Sequence, residues 1–470
     1  MPARPFVALL GALAIALPVT VAGPAPVAAT AAREVSQRYD IEATLDVASG
    51  RLDAVVEMAL TNESRWPLGH VHLALVPRAL GFVTMDEPVS VDGEAVAAEW
   101  TTSISLRVPL DELEPGETAR VRVPFRLDVG LAPPAFTART SVENGVLTFG
   151  QWFPILSPEH EVHGLGDSQV TFSADRIRLR LTTTTPLPRD AVACPGLRRA
   201  PEATGTRWVC QADNVRDLSF VVNPRFRMAI RQAGAVEVRA YTETVDPSRT
   251  ADLAVEALAD MEQRFGDYPW DDLVLAEVGS AGGFSMEYPR QVHLTRDKVV
   301  DTYVVYHEVA HQWFYAQLGN DQQAEPWLDE AWADFSARLL MGIGENACGT
   351  RPVDSPVFAW EAEATTGGDW TSCDGYFHSV FYRGTEFLSA VRTAMGDDAF
   401  FGAMRAWLEE RRHGLAAGRE LLWHLQRHTD ADLAPIYAGY LADPNPRPYP
   451  AFAGVAGAVG AGLGGLAAGR

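Results

Sequence analysis

Positive charge is scarce in this sequence. The 470 residues include 39 lysines and arginines against 61 aspartates and glutamates, a formal net charge of −22, and Lys298 is the only lysine. Most of such a surface would repel a phosphate backbone, which argues against nucleic acid as a partner. The length and the hydrophobic content of 47% favour a globular protein of two to three domains.

Cysteine is also scarce, with four residues in the chain. No two of them have the C-x-x-C spacing typical of metal-binding cysteines, which disfavours a cysteine metal site. An even number of cysteines is typical of disulfide bridges in an exported protein. Each neighbouring pair brackets a short stretch of chain, so we predict two local bridges, Cys194–Cys210 and Cys348–Cys373.

The two ends of the chain differ from the rest in composition. Residues 1–32 have Arg4 before a long apolar run and end among small residues, the pattern of a signal peptide, with an uncleaved membrane anchor as the alternative. Residues 445–470 are rich first in proline and then in glycine and alanine, which is typical of a flexible tail or a weak membrane anchor. We therefore expect export, with the protein secreted or associated with the cell surface.

The first long segment after the signal peptide alternates in polarity. In YDIEATLDV, apolar residues recur at every second position from Tyr39 to Val47, with charged or polar residues between them. This period predicts a strand that is buried on one face. The same period returns in RVRVPFRLDV and RIRLRLT.

Beyond about residue 232 the spacing becomes helical, as in ADLAVEALADMEQRFG. We therefore predict a multidomain α+β protein. Residues 33–232 are expected to form an antiparallel β-sandwich-like domain, and residues 233–444 a mainly helical domain that carries the chemistry.

The helical part contains the pentapeptide HEVAH at residues 307–311. In a helix, His307 and His311 project from one face and can bind one zinc ion. Glu308 then lies beside the metal, where it can take a proton from a water molecule. Two histidines that merely share a face of a structural helix are the alternative.

A third ligand is needed to complete a catalytic zinc site. Phe314 and Gln317 stand where a metzincin has glycine and a third histidine, which excludes that class. Pro326 suits the first turn of a new helix. Glu330 is expected one turn into that helix, with eighteen residues between it and His311.

The combination of HExxH, eighteen residues and the glutamate of WLDEAWADF resembles the aminopeptidase N and leukotriene hydrolase family of gluzincin zinc peptidases. FGDYPW, GFSMEYP and FYRG resemble further segments of that family, and the similarity covers roughly residues 36–443. The resemblance implies a thermolysin-like catalytic domain with one Zn²⁺ bound by His307, His311 and Glu330, and Glu308 as the general base. We expect a short form of the family that lacks the long C-terminal helical domain of larger members.

The resemblance also implies the residues that bind substrate. Gly283, Met286 and Glu287 match the glycine-x-Met-Glu motif, whose glutamate holds the free α-amine of the peptide; an ordinary buried carboxylate is the alternative. Here Phe284 intrudes after the glycine, and Tyr288 replaces a frequent asparagine. These departures leave the side-chain preference open.

Tyr382 matches the family's catalytic tyrosine, which stabilises the oxyanion formed from the peptide carbonyl. Tyr376 is a rival for this role, and a structural aromatic residue is the alternative. Asp334 follows Glu330 by four residues, so we expect its carboxylate to accept the free ring N–H of His307 or His311. A solvated charge on the helix surface is the alternative for Asp334.

The function implied by the resemblance is a zinc-dependent aminopeptidase that removes N-terminal residues from peptides with a free amine. Two alternatives stay open. A thermolysin-type endopeptidase would share the zinc ligands but would not need Glu287. A catalytically idle exported binding protein would need none of the reacting residues.

Overall fold

The computed structural model describes residues 34–131, 139–158, 170–198, 204–280, 284–322, 325–344 and 377–441. The predicted signal peptide (1–32), the C-terminal tail (445–470), Gly283, Tyr376 and the Cys348–Cys373 bridge lie outside these ranges. Within the described ranges, no helix has both the length and the apolar composition needed to cross a bilayer.

The N-terminal part is built from β-strands in three sheets. The largest sheet has eight strands in the order β15-β13-β1-β2-β9-β5-β6, with β4 also paired to β9. Two four-stranded sheets have the orders β10-β11-β16-β14 and β12-β3-β8-β7. The strands are Val35–Asp46 (β1), Arg51–Asn62 (β2), Leu68–Ala74 (β3), Val83–Thr84 (β4), Ser90–Val91 (β5), Glu94–Ala95 (β6), Glu99–Trp100 (β7), Ser105–Leu113 (β8), Thr118–Asp128 (β9), Thr140–Glu143 (β10), Val146–Phe149 (β11), Ile155–Ser157 (β12), Ala174–Pro188 (β13), Val192–Ala193 (β14), Thr204–Val215 (β15) and Phe220–Val222 (β16).

Strand β1 shows how the alternating sequence forms this architecture. Tyr39, Ile41, Ala43 and Leu45 are buried, and the residues that alternate with them are exposed, as the period of two predicts. The strand ends at Asp46, so Val47 lies in the following turn and is only partly buried. The pairing is antiparallel with β2 but parallel with β13, which departs from the predicted all-antiparallel arrangement.

A disulfide joins strand β15 to the residue that follows strand β14. Cys194, directly after β14, is bonded to Cys210 in β15, and both side chains are fully buried. The structure therefore contains one of the two bridges expected from the cysteine spacing.

The C-terminal part begins with a second β-structure, which the prediction of a mainly helical domain omits. Strands Arg227–Ala233 (β17) and Val236–Thr242 (β18) pair as an antiparallel hairpin. Strands Asp272–Val278 (β19) and Gln291–Thr295 (β20) then extend the same sheet in parallel with β18. The predicted boundary at residue 232 falls inside this hairpin, so both of its strands are part of one sheet.

Seven α-helices are described in this part. They are Pro247–Phe265 (α1), Thr302–Ala310 (α2), Glu330–Met341 (α3), Arg383–Met395 (α4), Asp397–Arg411 (α5), Gly418–Arg427 (α6) and Ala434–Tyr440 (α7). Shorter helical segments are the 3₁₀ turns Val76–Leu80, Val129–Leu131 and Pro326–Leu328, and the π-helical turn Phe377–Tyr382. Strands Gly319–Asn320 (β21) and Leu415–Ala416 (β22) form a small separate pair.

An aromatic core holds α2 between α1 and α3. The ring of Phe314, just after α2, stacks on Trp332 of α3 with centroids 4.9 Å apart. Phe265 of α1 meets Phe314 edge-on at 5.1 Å, and Phe401 of α5 at 5.6 Å. Offset and edge-on pairs of this kind are favourable beyond the apolar area that they bury. This aromatic packing thus fixes the position of the HEVAH segment relative to α1 and α3.

Candidate metal centre

The two histidines of the centre belong to helix α2 and its end. Asp301 caps the helix by accepting from the Val304 N–H, and the α-helix ends at Ala310. His311 is the C-terminal cap residue and retains a right-handed helical conformation. The expected spacing on one face is therefore preserved, and the Nε2 atoms of His307 and His311 lie 3.1 Å apart.

The third candidate ligand lies on α3. Asp329 accepts from the Glu330 N–H at 2.7 Å and caps the helix at its first residue. Glu330 is thus the first residue of α3 and not one turn into it, because the segment beginning at Pro326 is a separate 3₁₀ turn. Its Oε2 lies 3.1 Å from His307 Nε2 and 3.4 Å from His311 Nε2.

These three atoms have the spacing that a tetrahedral zinc site requires. Zinc–nitrogen and zinc–oxygen bonds of about 2.0–2.1 Å place neighbouring ligand atoms about 3.3 Å apart. Among the described residues, His307, His311 and Glu330 form the cluster of potential ligands suited to one ion. A donor set of two imidazoles and one carboxylate is one that zinc uses in catalytic sites.

The ring of His311 is oriented by a backbone group. Its Nδ1 lies 3.1 Å from the Phe314 carbonyl oxygen. A carbonyl can only accept, so Nδ1 carries a proton and donates it, and Nε2 is the ring nitrogen that faces the other two candidate ligands. Hydrogen bonds of this kind fix both the tautomer and the orientation of a metal-binding imidazole.

The ring of His307 is held by aromatic packing. Phe381 stacks on it with centroids 5.7 Å apart and an interplanar angle of 13°. Tyr303, one turn earlier on α2, stacks on it at 6.1 Å and 29°. His307 Nδ1 is buried and makes no hydrogen bond within the described part of the chain. The two ligands of one motif are therefore positioned by different interactions.

The buried charges of the centre shift one another's pKa values. Burial raises the pKa of Glu330, but the charge of His311 and the hydrogen bonds of both histidines outweigh it and lower the pKa to about 2. Burial lowers the pKa of His311, yet the charges of Glu287 and Glu330 raise it well above its ordinary value. For His307, burial prevails and the pKa is lowered. Glu330 is thus ionised and available to a cation.

Glu308, the predicted general base, lies beside these ligands. Its side chain is almost buried, with 7% exposed. Its negative charge contributes to the raised pKa of His311. The carboxylate is therefore within electrostatic reach of the metal ligands and largely shielded from bulk water.

The predicted substrate-binding segment forms a short extended stretch against β20. Met286 and His293 exchange two backbone hydrogen bonds of 2.8 Å each. The Gln312 side chain, next to His311, donates to the carbonyl oxygens of Glu287 and Tyr288 at 3.4 and 3.1 Å. These bonds tie the segment to the end of the metal-binding helix.

Glu287 is 4% exposed, and it interacts electrostatically with the metal centre. Burial raises its pKa, the charge of His311 lowers it, and the charge of Glu330 raises it. The neighbouring residues differ in exposure: Phe284 is 47% exposed, whereas Tyr288 is fully buried. The ring of Tyr288 occupies the space that a side chain at Gly150 of the N-terminal part would need.

Tyr382 is the last residue of the π-helical turn that precedes α4. Its neighbour Phe381 stacks on His307, which places this turn at the metal centre. The guanidinium carbon of Arg338 lies 5.8 Å from the centroid of the Tyr382 ring. The structure thus brings Tyr382 to the same side of the catalytic part as the zinc ligands.

The predicted contact between Asp334 and a zinc-binding histidine is wrong. The Asp334 carboxylate accepts instead from the Tyr303 hydroxyl, from Arg338 Nε at 2.7 Å and from Thr385 Oγ1 at 2.8 Å. His311 uses its ring N–H on the Phe314 carbonyl, so it has no donor to offer Asp334. The solvated alternative is wrong as well, because Asp334 is fully buried.

Tyr303 and Arg338 are the residues that sequence reasoning missed. Their signal is helical spacing: Tyr303 precedes His307 by four residues, and Arg338 follows Asp334 by four. An aromatic or cationic residue one helical turn from His307 or Asp334 is therefore a candidate contact of that residue.

The donor set and its spacing define the gluzincin class of zinc metallopeptidases. Residues 284–440 match the Peptidase family M1 domain. This part of the chain is accordingly similar to the catalytic domain of the aminopeptidase N family of gluzincin zinc peptidases.

Relatives and solved structures agree with this assignment. Aminopeptidase N of Lactobacillus helveticus is 28% identical over 175 residues, which cover 33% of this chain and 20% of that protein. Aminopeptidase 2 of Candida albicans is 31% identical over 261 residues, 47% of this chain and 26% of that protein. The chain thus aligns with only about a quarter or less of the length of these relatives.

The fold is shared with a bacterial enzyme of known structure. The M1 zinc metallopeptidase of Deinococcus radiodurans, as a mutant bound to a Tyr-Ser-Ala substrate, superimposes with a TM-score of 0.64 at 20% identity. The match covers 89% of this chain and 97% of that one. The combination of a β-rich N-terminal part and a helical catalytic part is therefore a known two-part architecture.

Proposed function

We propose that the chain is an aminopeptidase that removes single residues from the free N-terminus of peptides. The observation that carries this proposal is Glu287, a buried carboxylate whose charge interacts with His311 and Glu330. A carboxylate so placed can bind the α-ammonium of a peptide while the first peptide bond reaches the metal. The relatives named aminopeptidase and the tripeptide bound to the Deinococcus enzyme support the same substrate class.

Each reacting group has a task that follows from its position. His307, His311 and Glu330 would hold a zinc ion, which would supply Lewis acidity toward a water molecule and the scissile carbonyl. Glu308 accepts the proton from the attacking water and returns it to the leaving amine. Tyr382 donates its phenol hydrogen to the oxyanion that develops on the carbonyl, an interaction typically worth about 2.7–4 kcal/mol.

Glu287 determines which peptide bond of the substrate is cut. At neutral pH the α-amine of a peptide, with a reference pKa of about 7.7–8.0, is mostly charged. A charge-assisted hydrogen bond to Glu287 then fixes the N-terminus one residue from the metal. An acetylated N-terminus offers no charge, so it would be bound without this register. The alternative, a thermolysin-type endopeptidase, would cut both kinds of peptide.

The Glu287→Gln variant tests the proposal. The amide keeps the shape and one acceptor oxygen but removes the charge. We expect kcat/KM on a free-amine peptide to fall at least a hundredfold, with little change on the N-acetylated form of the same peptide, which serves as the control. Equal losses on both peptides, or no loss on either, would favour the endopeptidase.

A further inference from the structure

Asp334 connects three helices of the catalytic part. It lies on α3, and its Oδ1 accepts from the Tyr303 hydroxyl of α2. Its Oδ2 accepts from Arg338 of α3 at 2.7 Å and from Thr385 of α4 at 2.8 Å. No part of the carboxylate is exposed to solvent. Charged hydrogen bonds in a buried setting are strong and directional, so this junction is rigid.

Each donor also leads to a residue of the metal centre. The Tyr303 ring stacks on His307. Thr385 follows Tyr382 by three residues, at the start of α4. Arg338 contacts both tyrosines: its guanidinium carbon lies 5.8 Å from the ring centroid of Tyr303 and 5.8 Å from that of Tyr382.

We propose that Asp334 is a positioning residue that holds Tyr382 in a fixed place relative to His307. Thr385 and Arg338 secure the Tyr382 side of the junction, and Tyr303 secures the His307 side. The hydrogen bonds that the described residues make to Asp334 come from Tyr303, Arg338 and Thr385, so it acts on Tyr382 and His307 through these residues. The inference rests on the proposed function, because it assigns Tyr382 the task of stabilising the oxyanion.

The expected signature is a loss of kcat at constant KM. A misplaced Tyr382 would weaken an interaction that forms only in the transition state, which leaves substrate binding unchanged. A general loss of folding would also lower the apparent kcat, but by the same factor whether or not the Tyr382 hydroxyl is present.

Removing one donor at a time tests the junction while the Asp334–Arg338 pair stays intact. Thr385→Val deletes the hydroxyl and keeps the side-chain shape. We expect kcat to fall about tenfold, the lower range for losing a group that supports a metal site. In a Tyr382→Phe background the same substitution should change kcat less than twofold, because the donor that it positions is already gone. Thr250→Val is the matched control: this buried threonine of α1 donates to the Val299 carbonyl at 2.8 Å.

The His307 side has a readout that does not depend on peptidase activity. Tyr303→Phe keeps the stacked ring but loses the hydroxyl that anchors it to Asp334. We expect zinc to pass to a chelator about tenfold faster from this variant than from the wild type. Tyr437→Phe is the control, since that buried hydroxyl donates to the Leu422 carbonyl at 2.9 Å, on the α6–α7 side of the domain.

Two results would overturn the proposal. One is an equal loss of kcat from Thr385→Val in both backgrounds, and the other is wild-type zinc release from Tyr303→Phe. A wild-type protein without aminopeptidase activity would instead contradict the proposed function, and the zinc measurement would still decide the role of the junction.

Discussion

The two parts of the molecule place their charges differently. In the N-terminal part, ion pairs join neighbouring strands on exposed faces, as between Arg176 and Asp213, whose side chains are 51% and 45% exposed. In the catalytic part, the Asp334–Arg338 pair is 0% and 13% exposed. An exposed pair contributes little because water screens it, whereas a buried charge that loses its partner is costly. The exposed pair of the β part thus contributes little to stability, whereas the buried pair of the catalytic part fixes the positions of the groups around it.

The largest effect is expected from a buried charge that reacts. Glu308→Gln should retain zinc, because the three ligands are intact, and lose turnover, because an amide cannot accept the proton of the attacking water. General-base removal typically costs about 10²- to 10⁴-fold in rate. Metal analysis and kcat on an aminoacyl substrate measure the two halves of this prediction. Unchanged turnover would remove Glu308 from the mechanism.

A buried charge that only supports should affect stability. Arg338→Met leaves Asp334 without its cationic partner, and we expect the free energy of unfolding to fall by about 3 kcal/mol. Chemical denaturation monitored by the fluorescence of the catalytic-part tryptophans gives this value. A loss below about 1 kcal/mol would mean that the junction is held mainly by its two hydroxyl donors.

Glu325 offers a pH-dependent form of the same contrast. Burial raises its pKa from the ordinary 4.5 to about 7, although the Gly418 N–H that donates to it lowers the pKa. The folded protein therefore binds this proton more tightly than the unfolded chain. The resulting stability is complete below pH 4.5 and is lost as the pH rises through 7.

In Glu325→Gln the amide oxygen can still accept from Gly418, but nothing titrates. The variant should therefore gain stability relative to the wild type between pH 5 and pH 8, by about 2 kcal/mol after allowance for partial solvent screening. Thermal unfolding of both proteins at the two pH values measures the difference, and other titrating groups such as Asp217 contribute equally to both. A constant difference in Tm would show that Glu325 titrates normally.

The smallest effect is expected on the exposed strands. Arg176→Met breaks the pair with Asp213 at 2.7 Å, yet we expect a loss of only about 0.2–1 kcal/mol. The same denaturation measurement applies. A loss as large as that of Arg338→Met would abolish the proposed distinction between the two parts.

The sequence predicts features that depend on local periodicity better than those that depend on turns or tertiary packing. The alternation from Tyr39 to Leu45 was sufficient for strand β1, because a period of two directly encodes a half-buried strand. The HEVAH spacing predicted that His307 and His311 lie together, because helical geometry fixes which residues share a face. The resemblance to the gluzincin family added Glu330 as the third ligand. Positions such as Val47, one residue beyond the strand, depend on where a turn begins, which periodicity does not encode.

Arg338 could be predicted as a partner of Asp334 from helical spacing, but Tyr303 and Thr385 could not. They come from two other helices, and the choice between them and a histidine is made by tertiary packing. The strand pair β17–β18 was not predicted for a similar reason. It packs on α1, and the helical spacing of α1 led to a predicted domain boundary inside the pair. Export stays a prediction, since the segment that carries it lies outside the described residues.

The close contact between Gly150 and Tyr288 has a consequence for how the sequence can change over time. Any side chain at residue 150 would overlap the Tyr288 ring, which stands next to Glu287. The effect of a mutation at either residue therefore depends on which residue occupies the other position, although the two lie in different parts of the chain. Among homologues we expect the two positions to vary as a pair: a bulky residue at 150 should occur with a small or short residue at 288. The residues that can occupy the position beside Glu287 thus depend in part on the N-terminal part of the chain.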